Sequence, residues 1–207
     1  MTSALAARPW CIALVGNPNC GKTALFNLLT GARQKVANYA GVTVERKVGT
    51  ATLRNGTHVS VVDLPGAYSL NPATPDEQIT LEVIEGRRAG EDAPDAIVAV
   101  VDATNLRMNL RLVLELRRLG RPMLVALNMA DVARSQGLAI DVAALSRELG
   151  CPVVETVAVR RNGHAGLLAQ IEAQMGAAQA AAGPASAAPD SAELQREVRR
   201  VLAIAAP

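Results

Sequence analysis

The sequence predicts an α/β fold: a mostly parallel, doubly wound sheet with one antiparallel strand, followed by a short C-terminal helical segment. Three observations carry this expectation. Short apolar runs alternate with segments of helical periodicity along most of the chain, the order expected of parallel strands joined by helices. Half of the 207 residues are hydrophobic but only 2% are aromatic, so the core must be built from Ala, Val, Leu and Ile, which suits a buried parallel sheet. The stretch Gly16-Asn17-Pro18-Asn19-Cys20-Gly21-Lys22-Thr23 reads G-x-x-x-x-G-K-T, the phosphate-binding loop pattern, between a strand-like run and a helix-like one.

Cys11 to Val15 is a continuous apolar run, the first buried strand. Thr23 to Thr30 carries Leu25, Leu28 and Leu29 at helical spacing, and Gly31 closes it. Ala32 to Val42 lacks clear periodicity and reads as a loop. Val44 to Leu53 and Thr57 to Val62 are β-rich, and Asn55-Gly56 between them is a hairpin turn signal that supplies the antiparallel strand. The second run ends in Asp63-Leu64-Pro65-Gly66. After a punctuated stretch, Ala67 to Pro75, a helix is expected from about Asp76 to Arg88, capped by Thr74 or Asp76. Ala96 to Val101 is another buried strand, and Thr104 to Leu119 an amphipathic helix ended by Gly120. Met123 to Leu127 is a strand that runs into Asn128-Met129-Ala130-Asp131. A helix over Val142 to Leu149, a strand over Pro152 to Val157 and a helix over Ala165 to Gln174 complete an α/β domain of residues 1–175. Residues 176–189 are Ala-rich with two prolines and read as a linker. Asp190 to Ala205 is helical again, with Asp190 and Glu193 spaced as a capping box. Leu194, Val198, Val201, Leu202 and Ala205 share one face, which needs a partner: the α/β domain or something beyond Pro207.

Composition excludes several classes. The net charge of +2 gives no reason to expect nucleic acid. Cys11, Cys20 and Cys151 lie far apart without a C-x-x-C, which speaks against a disulfide framework or zinc site and fits a reducing compartment. No apolar run approaches the roughly 18–20 residues needed to cross a bilayer, so the chain taken by itself is expected to be soluble. His58 and His164 stand apart from any Cys or carboxylate cluster and read as surface residues, so the domain is not expected to carry iron itself.

The chemistry gathers at strand ends, where open α/β sheets bind ligands. Gly16 and Gly21 let the backbone curl so that N–H groups, helped by the helix N-terminus, meet phosphate oxygens. Lys22 neutralises the β- and γ-phosphates, and the Thr23 hydroxyl can ligate Mg²⁺. Asp63-Leu64-Pro65-Gly66 reads D-x-x-G: Asp63 would hold Mg²⁺ through water, and the Gly66 N–H would sense the γ-phosphate. Thr43 can give its hydroxyl to Mg²⁺ and its N–H to the γ-phosphate. Asn128 and Asp131 form N-x-x-D, with Met129 between them. The Asp131 carboxylate can accept from guanine N1–H and the exocyclic N2 amine, a donor pair that adenine lacks.

In this order, the runs GNPNCGKTALFNLLTG, GVTVERKVGTA, VVDLPGAYSL, VVDATNLRMNL and ALNMAD resemble the cytoplasmic G domain of the bacterial ferrous iron transport protein B family (FeoB) over about residues 10 to 175. The resemblance implies a Ras-like P-loop GTPase domain. It also implies a small helical, GDI-like domain that favours the GDP state, begun here by residues 190–207, and a membrane-spanning region after it. On that reading this is a soluble fragment of a protein at the cytoplasmic face of the bacterial inner membrane, a possible homo-oligomer, with guanine nucleotide and the transmembrane region as partners and no nucleic acid.

Carried onto this sequence, the resemblance makes Asn19, Lys22, Thr43 and Gly66 the catalytic set. Gly16, Asn17, Asn19, Cys20, Gly21, Lys22, Thr23, Ala24, Asn128, Met129, Asp131, Val157, Ala158 and Val159 are the nucleotide contacts, with GTP or GDP as ligand. Thr23, Thr43 and Asp63 take Mg²⁺. Asn19, with backbone carbonyls of the Ala37–Tyr39 loop, takes K⁺, which would act as a fixed cation beside the phosphates; on residues alone, Asn19 reads equally as a turn residue tolerating a left-handed backbone.

Departures matter as well. Ala67 follows Gly66 and cannot orient a water, so slow intrinsic hydrolysis is expected. Cys20 reads as an inert loop residue, although a thiol so near a helix N-terminus can be unusually acidic. Val157-Ala158-Val159-Arg160 stands where relatives carry a Ser; the Ala158 N–H is still available to guanine O6, but nucleotide retention should weaken. Three readings follow: a K⁺-stimulated GTP-hydrolysing switch for ferrous iron uptake, a soluble GTPase of ribosome assembly or tRNA modification, and a GTP-gated interaction module with negligible hydrolysis.

Overall fold

A computed structural model of the chain describes residues 8–31, 34–178 and 191–206. Among these residues, seven strands form one sheet: β1 Cys11–Gly16, β2 Gln34–Asn38, β3 Glu45–Thr52, β4 His58–Asp63, β5 Ala96–Asp102, β6 Met123–Asn128 and β7 Val153–Glu155. Their order is β2-β3-β4-β1-β5-β6-β7. Only β3 runs against the rest, antiparallel to both β2 and β4, while β4, β1, β5, β6 and β7 pair in parallel. The mostly parallel sheet with one reversed strand is therefore as the sequence predicts.

The α-helices among the described residues are α1 Lys22–Thr30, α2 Pro75–Glu85, α3 Leu106–Arg117, α4 Ala130–Ser135, α5 Val142–Leu149, α6 Ala165–Ala178 and α7 Ser191–Ala205. The period of two along β1 divides the core. Ile12 and Leu14 face a layer with Leu25, Phe26, Leu29, Leu167 and Ile171 of α1 and α6. Ala13 and Val15 face the opposite layer, with Ile79 and Val83 of α2, Leu110 and Leu114 of α3, and Leu145 of α5. Both clusters are almost entirely aliphatic, as the composition requires.

Several expectations need correction. Five residues of the expected loop Ala32–Val42 form β2, an edge strand whose side chains are all exposed. Such a strand has no buried face and leaves no alternating apolar signature. The short helix α4 follows Met129, which caps it in the left-handed region at φ 58. The helix expected from Thr104 begins with a 3₁₀ turn at Ala103–Asn105 and becomes α-helical at Leu106. The first residues of the expected linker continue α6 to Ala178, and the remainder, with Asp190 of the expected capping box, lies outside the described residues. Thr74, not Asp76, caps α2, accepting from the Glu77 N–H at 3.3 Å.

The apolar face of α7 finds its partner in the α/β domain. Leu194, Val198, Val201 and Ala205 are buried in the layer that holds α3 and α5. Glu197 takes charged hydrogen bonds from Arg117 and Arg118, the latter at 2.9 Å, and the Asp141 N–H donates to the Ala205 carbonyl at 2.7 Å.

Candidate functional site

β1 ends at Gly16, and the chain curls through Asn17–Gly21 into α1. Asn19 at φ 66 and Gly21 at φ 82 both take left-handed backbone. A side chain at Gly21 would put its Cβ 2.3 Å from Asn128 Nδ2 as well as straining the backbone, so glycine is required twice over. No acidic residue and no side-chain cap sits on the first turn of α1, which leaves its N–H groups directed at the loop. This is a cradle for an anion.

Lys22, at the start of α1, is buried and its ammonium pairs with the Asp63 carboxylate at the end of β4. Thr23 Oγ1 donates to the other Asp63 oxygen at 3.1 Å. The loop after Asp63 lies against the phosphate loop: the Ala67 N–H donates to the Gly16 carbonyl at 3.1 Å, and a Cβ at Gly66 would stand 3.1 Å from Pro18. A cleft of about 230 Å³ opens here, lined among others by Lys22, Thr23, Val44, Asp63 and Gly66. The Thr23 hydroxyl and Asp63 carboxylate offer hard oxygen donors, a set that fits Mg²⁺.

Thr43 is not brought to this cleft. It is exposed, in a hairpin between β2 and β3 closed by Tyr39 N–H to the Val44 carbonyl at 3.0 Å and Val42 N–H to the Tyr39 carbonyl at 3.2 Å. Of the other expected K⁺ donors, Ala37 lies in β2 opposite Arg46, and the Tyr39 carbonyl is engaged by Val42. Asn19 is exposed. Asn17 is buried, and its side-chain amide has no hydrogen-bond partner among the described residues.

The phosphate loop is joined to the far side of the sheet by Asn128, at the end of β6 and only 2% exposed. Its Nδ2 donates to the Cys20 carbonyl at 3.0 Å, and its Oδ1 accepts from the Ala158 N–H at 3.1 Å and from Thr156 Oγ1 at 3.3 Å. One side chain thus joins the phosphate loop to the segment after β7. Thr156 supplies a hydroxyl one position before the Val157–Val159 stretch, which lacks one. The Val157 N–H donates to the Gly163 carbonyl at 3.0 Å, Ala158 is buried, and Val159 is exposed. Asp131, in the first turn of α4, is half-buried and forms an ion pair with Arg160 at 3.3 Å. Spacing does not single out Thr156 and Arg160, which reach Asn128 and Asp131 through tertiary contacts. Ala24, half-buried on α1, packs on the aliphatic core of that face.

Cys20 is not the acidic thiol that its place allows: burial pushes its pKa up to about 11, outweighing the opposing pull of Lys22. His58 is exposed, while His164 is half-buried, and burial lowers its pKa. Among the described residues no group of three or more His, Cys, Asp or Glu is placed to hold a metal, and no helix is long and apolar enough to cross a membrane.

A curled phosphate loop after the central strand β1, joined through Asn128 to the segment after β7, on a sheet with a single reversed strand, defines the class: a P-loop GTPase domain of the Ras-like fold. The family model for ferrous iron transport protein B matches residues 10–171, and the chain belongs to that family. It is 53% identical over 156 residues to the Fe(2+) transporter FeoB of Salmonella typhimurium, an alignment covering 73% of this chain and 19% of that protein. It therefore spans about a fifth of the length of such relatives. Among solved structures, an S. thermophilus NFeoB mutant bound to GDP superposes with a TM-score of 0.70 at 44% identity, covering 78% of this chain and 60% of that one. The cytosolic domain of T. maritima FeoB in its GMPPNP form gives 0.76 at 36% identity, covering 89% and 70%.

Proposed function

We propose that this domain binds GTP and GDP with Mg²⁺, hydrolyses GTP slowly with stimulation by K⁺, and regulates a ferrous iron transporter from the cytoplasmic face of a bacterial inner membrane. The observation that carries this reading is the Asn128 clamp. It holds the phosphate loop and the segment after β7 at one place, with Asp131 beside them to read the base. The GDP and GMPPNP states of similar domains support it.

The N–H groups of Gly21 to Thr23 and the Lys22 ammonium bind the phosphates, Lys22 exchanging its Asp63 partner for phosphate oxygens. Thr23 and Asp63 would hold Mg²⁺, which supplies positive charge to the β- and γ-oxygens. Asn19 would hold K⁺ with carbonyls of the Ala37–Tyr39 segment. Thr43 and the Gly66 N–H serve the γ-phosphate. Asp131 accepts from guanine N1–H and N2 amine, and the Ala158 N–H turns from Asn128 toward O6. Ala67 leaves the attacking water without a side chain to orient it, so hydrolysis is slow. α7 would begin a helical GDI-like domain leading to the transmembrane region.

Single-turnover GTP hydrolysis in KCl and in NaCl, for the native chain and for Asn19→Ala, tests the proposal. A KCl rate well above the NaCl rate, lost in Asn19→Ala, is expected. Equal rates in both salts would remove the K⁺ role, and no turnover in either would leave a binding module.

A further inference from the structure

Arg88, three residues past the end of α2, reaches across to the β2–β3 hairpin. Its guanidinium lies 5.3 Å from the centre of the Tyr39 ring, donates from Nη2 to the Ala40 carbonyl at 2.9 Å, and pairs from Nη1 with Glu82 at 2.7 Å. The Arg88 side chain is only 13% exposed, so the contact with the ring is largely desolvated, the condition under which a cation over an aromatic face is strongest. Tyr39 itself is 2% exposed and belongs to the core layer beneath α2. The hairpin is thus fastened at its root by Arg88, while its own closing bonds hold Tyr39 to Val42 and Val44.

The consequence concerns Thr43. Val44 lines the Lys22–Asp63 cleft, and Thr43, one residue earlier, does not. Bringing Thr43 to a γ-phosphate requires the hairpin to swing, and the swing strains or breaks the Arg88 contacts to Tyr39 and Ala40. A nucleoside diphosphate makes no such demand. An element with two arrangements, of which one ligand needs only the second, shifts apparent affinity for that ligand alone.

We propose that Arg88 is a positioning residue, a latch on the Tyr39–Val44 hairpin that weights the domain toward GDP over GTP. It rests on the guanine-nucleotide reading above and assigns a regulatory role to a residue outside the nucleotide-contacting loops. It also joins the hairpin to α2, the helix that follows the Asp63–Gly66 loop, so movement in either segment is felt by the other.

The test titrates GDP and GMPPNP into the native 207-residue chain, Arg88→Ala and Arg88→Lys. Arg88→Ala is expected to raise GMPPNP affinity relative to GDP by about tenfold, the scale of one lost desolvated cation–ring contact. GDP affinity itself should stay within about twofold. Arg88→Lys keeps a cation but not the planar fork, and should fall between. Hydrogen exchange at the Tyr39 and Val42 amides should quicken in both variants while the amides of β5 and β6 stay protected, a local change that poor folding, which quickens all of them, does not produce. An unchanged GMPPNP/GDP ratio in Arg88→Lys and Arg88→Ala, or a shift toward GDP, overturns the latch while leaving nucleotide binding intact. A native chain that binds neither nucleotide overturns the guanine-nucleotide reading and the latch with it.

Discussion

Asn128 Nδ2 donates to the Cys20 carbonyl at 3.0 Å, and this one bond ties the end of β6 to the phosphate loop. The same side chain accepts from the segment after β7. Whatever moves Asn128 therefore moves the phosphate loop and the segment after β7 together.

Asn128→Ala removes that joint and leaves the Cys20 carbonyl and the Ala158 N–H without their partner. Buried groups stripped of hydrogen bonds cost roughly 1–3 kcal/mol each, so a loss of about 3 kcal/mol in folding stability is expected. Urea denaturation measures it. Guanine nucleotide affinity should fall in the same variant; native affinity would show that the joint does not serve the site.

Gly21→Ala places a methyl group 2.3 Å from Asn128 Nδ2 and forces a left-handed backbone on an L-residue. The backbone alone costs about 1–2 kcal/mol. Because the clash falls on the joint itself, nucleotide affinity should drop by on the order of tenfold or more. Fluorescent-GDP titration reads this directly. Gly137→Ala, also at positive φ but with nothing within 4 Å, is the control that carries strain without the clash.

The parts of the site that lie within one local segment were legible. The phosphate loop, Asp63–Gly66 and Asn128–Asp131 announce themselves by spacing and by apolar runs before them, because a buried parallel strand must be continuous and apolar. β2 was not legible, since Gln34–Asn38 buries none of its side chains and is held by backbone bonds to β3 alone. Nor was the burial of Tyr39, which packs in the layer that holds α2 and is covered by Arg88, a residue distant in sequence. Thr156 and Arg160 reach Asn128 and Asp131 only through tertiary contacts made after β7, and no local pattern marks them.

Cys20 and Cys151 predict the alkaline limb of the stability curve. Burial raises both thiols from 9.0 to about 11, so the folded state keeps two protons that the unfolded chain releases from about pH 9. Stability contributed by these protonated thiols is complete below pH 9 and is lost as pH climbs toward 11. Urea midpoints at pH 7, 9 and 10.5 should fall across the upper interval, and less steeply in the Cys20→Ala, Cys151→Ala double variant. Parallel slopes for the two chains would contradict the assignment.

Val201, fully buried between α7 and the layer that holds α3 and α5, reports whether the last helix is part of the domain. Val201→Ala should cost about 2 kcal/mol, and for a chain of this size a fall in Tm of about 4–8 °C. The transition should stay single. A separate early transition would mean that α7 melts independently of the sheet.

On the proposed reading, Asp131, half-buried in the first turn of α4, selects guanine. Calorimetric titration of the native chain with GTP and with ATP in Mg²⁺ tests this most directly. Two hydrogen bonds to a charged carboxylate that adenine cannot make predict a preference for GTP of on the order of 10²-fold, with one site per chain. Equal uptake of ATP, or no heat with either nucleotide, would contradict the account.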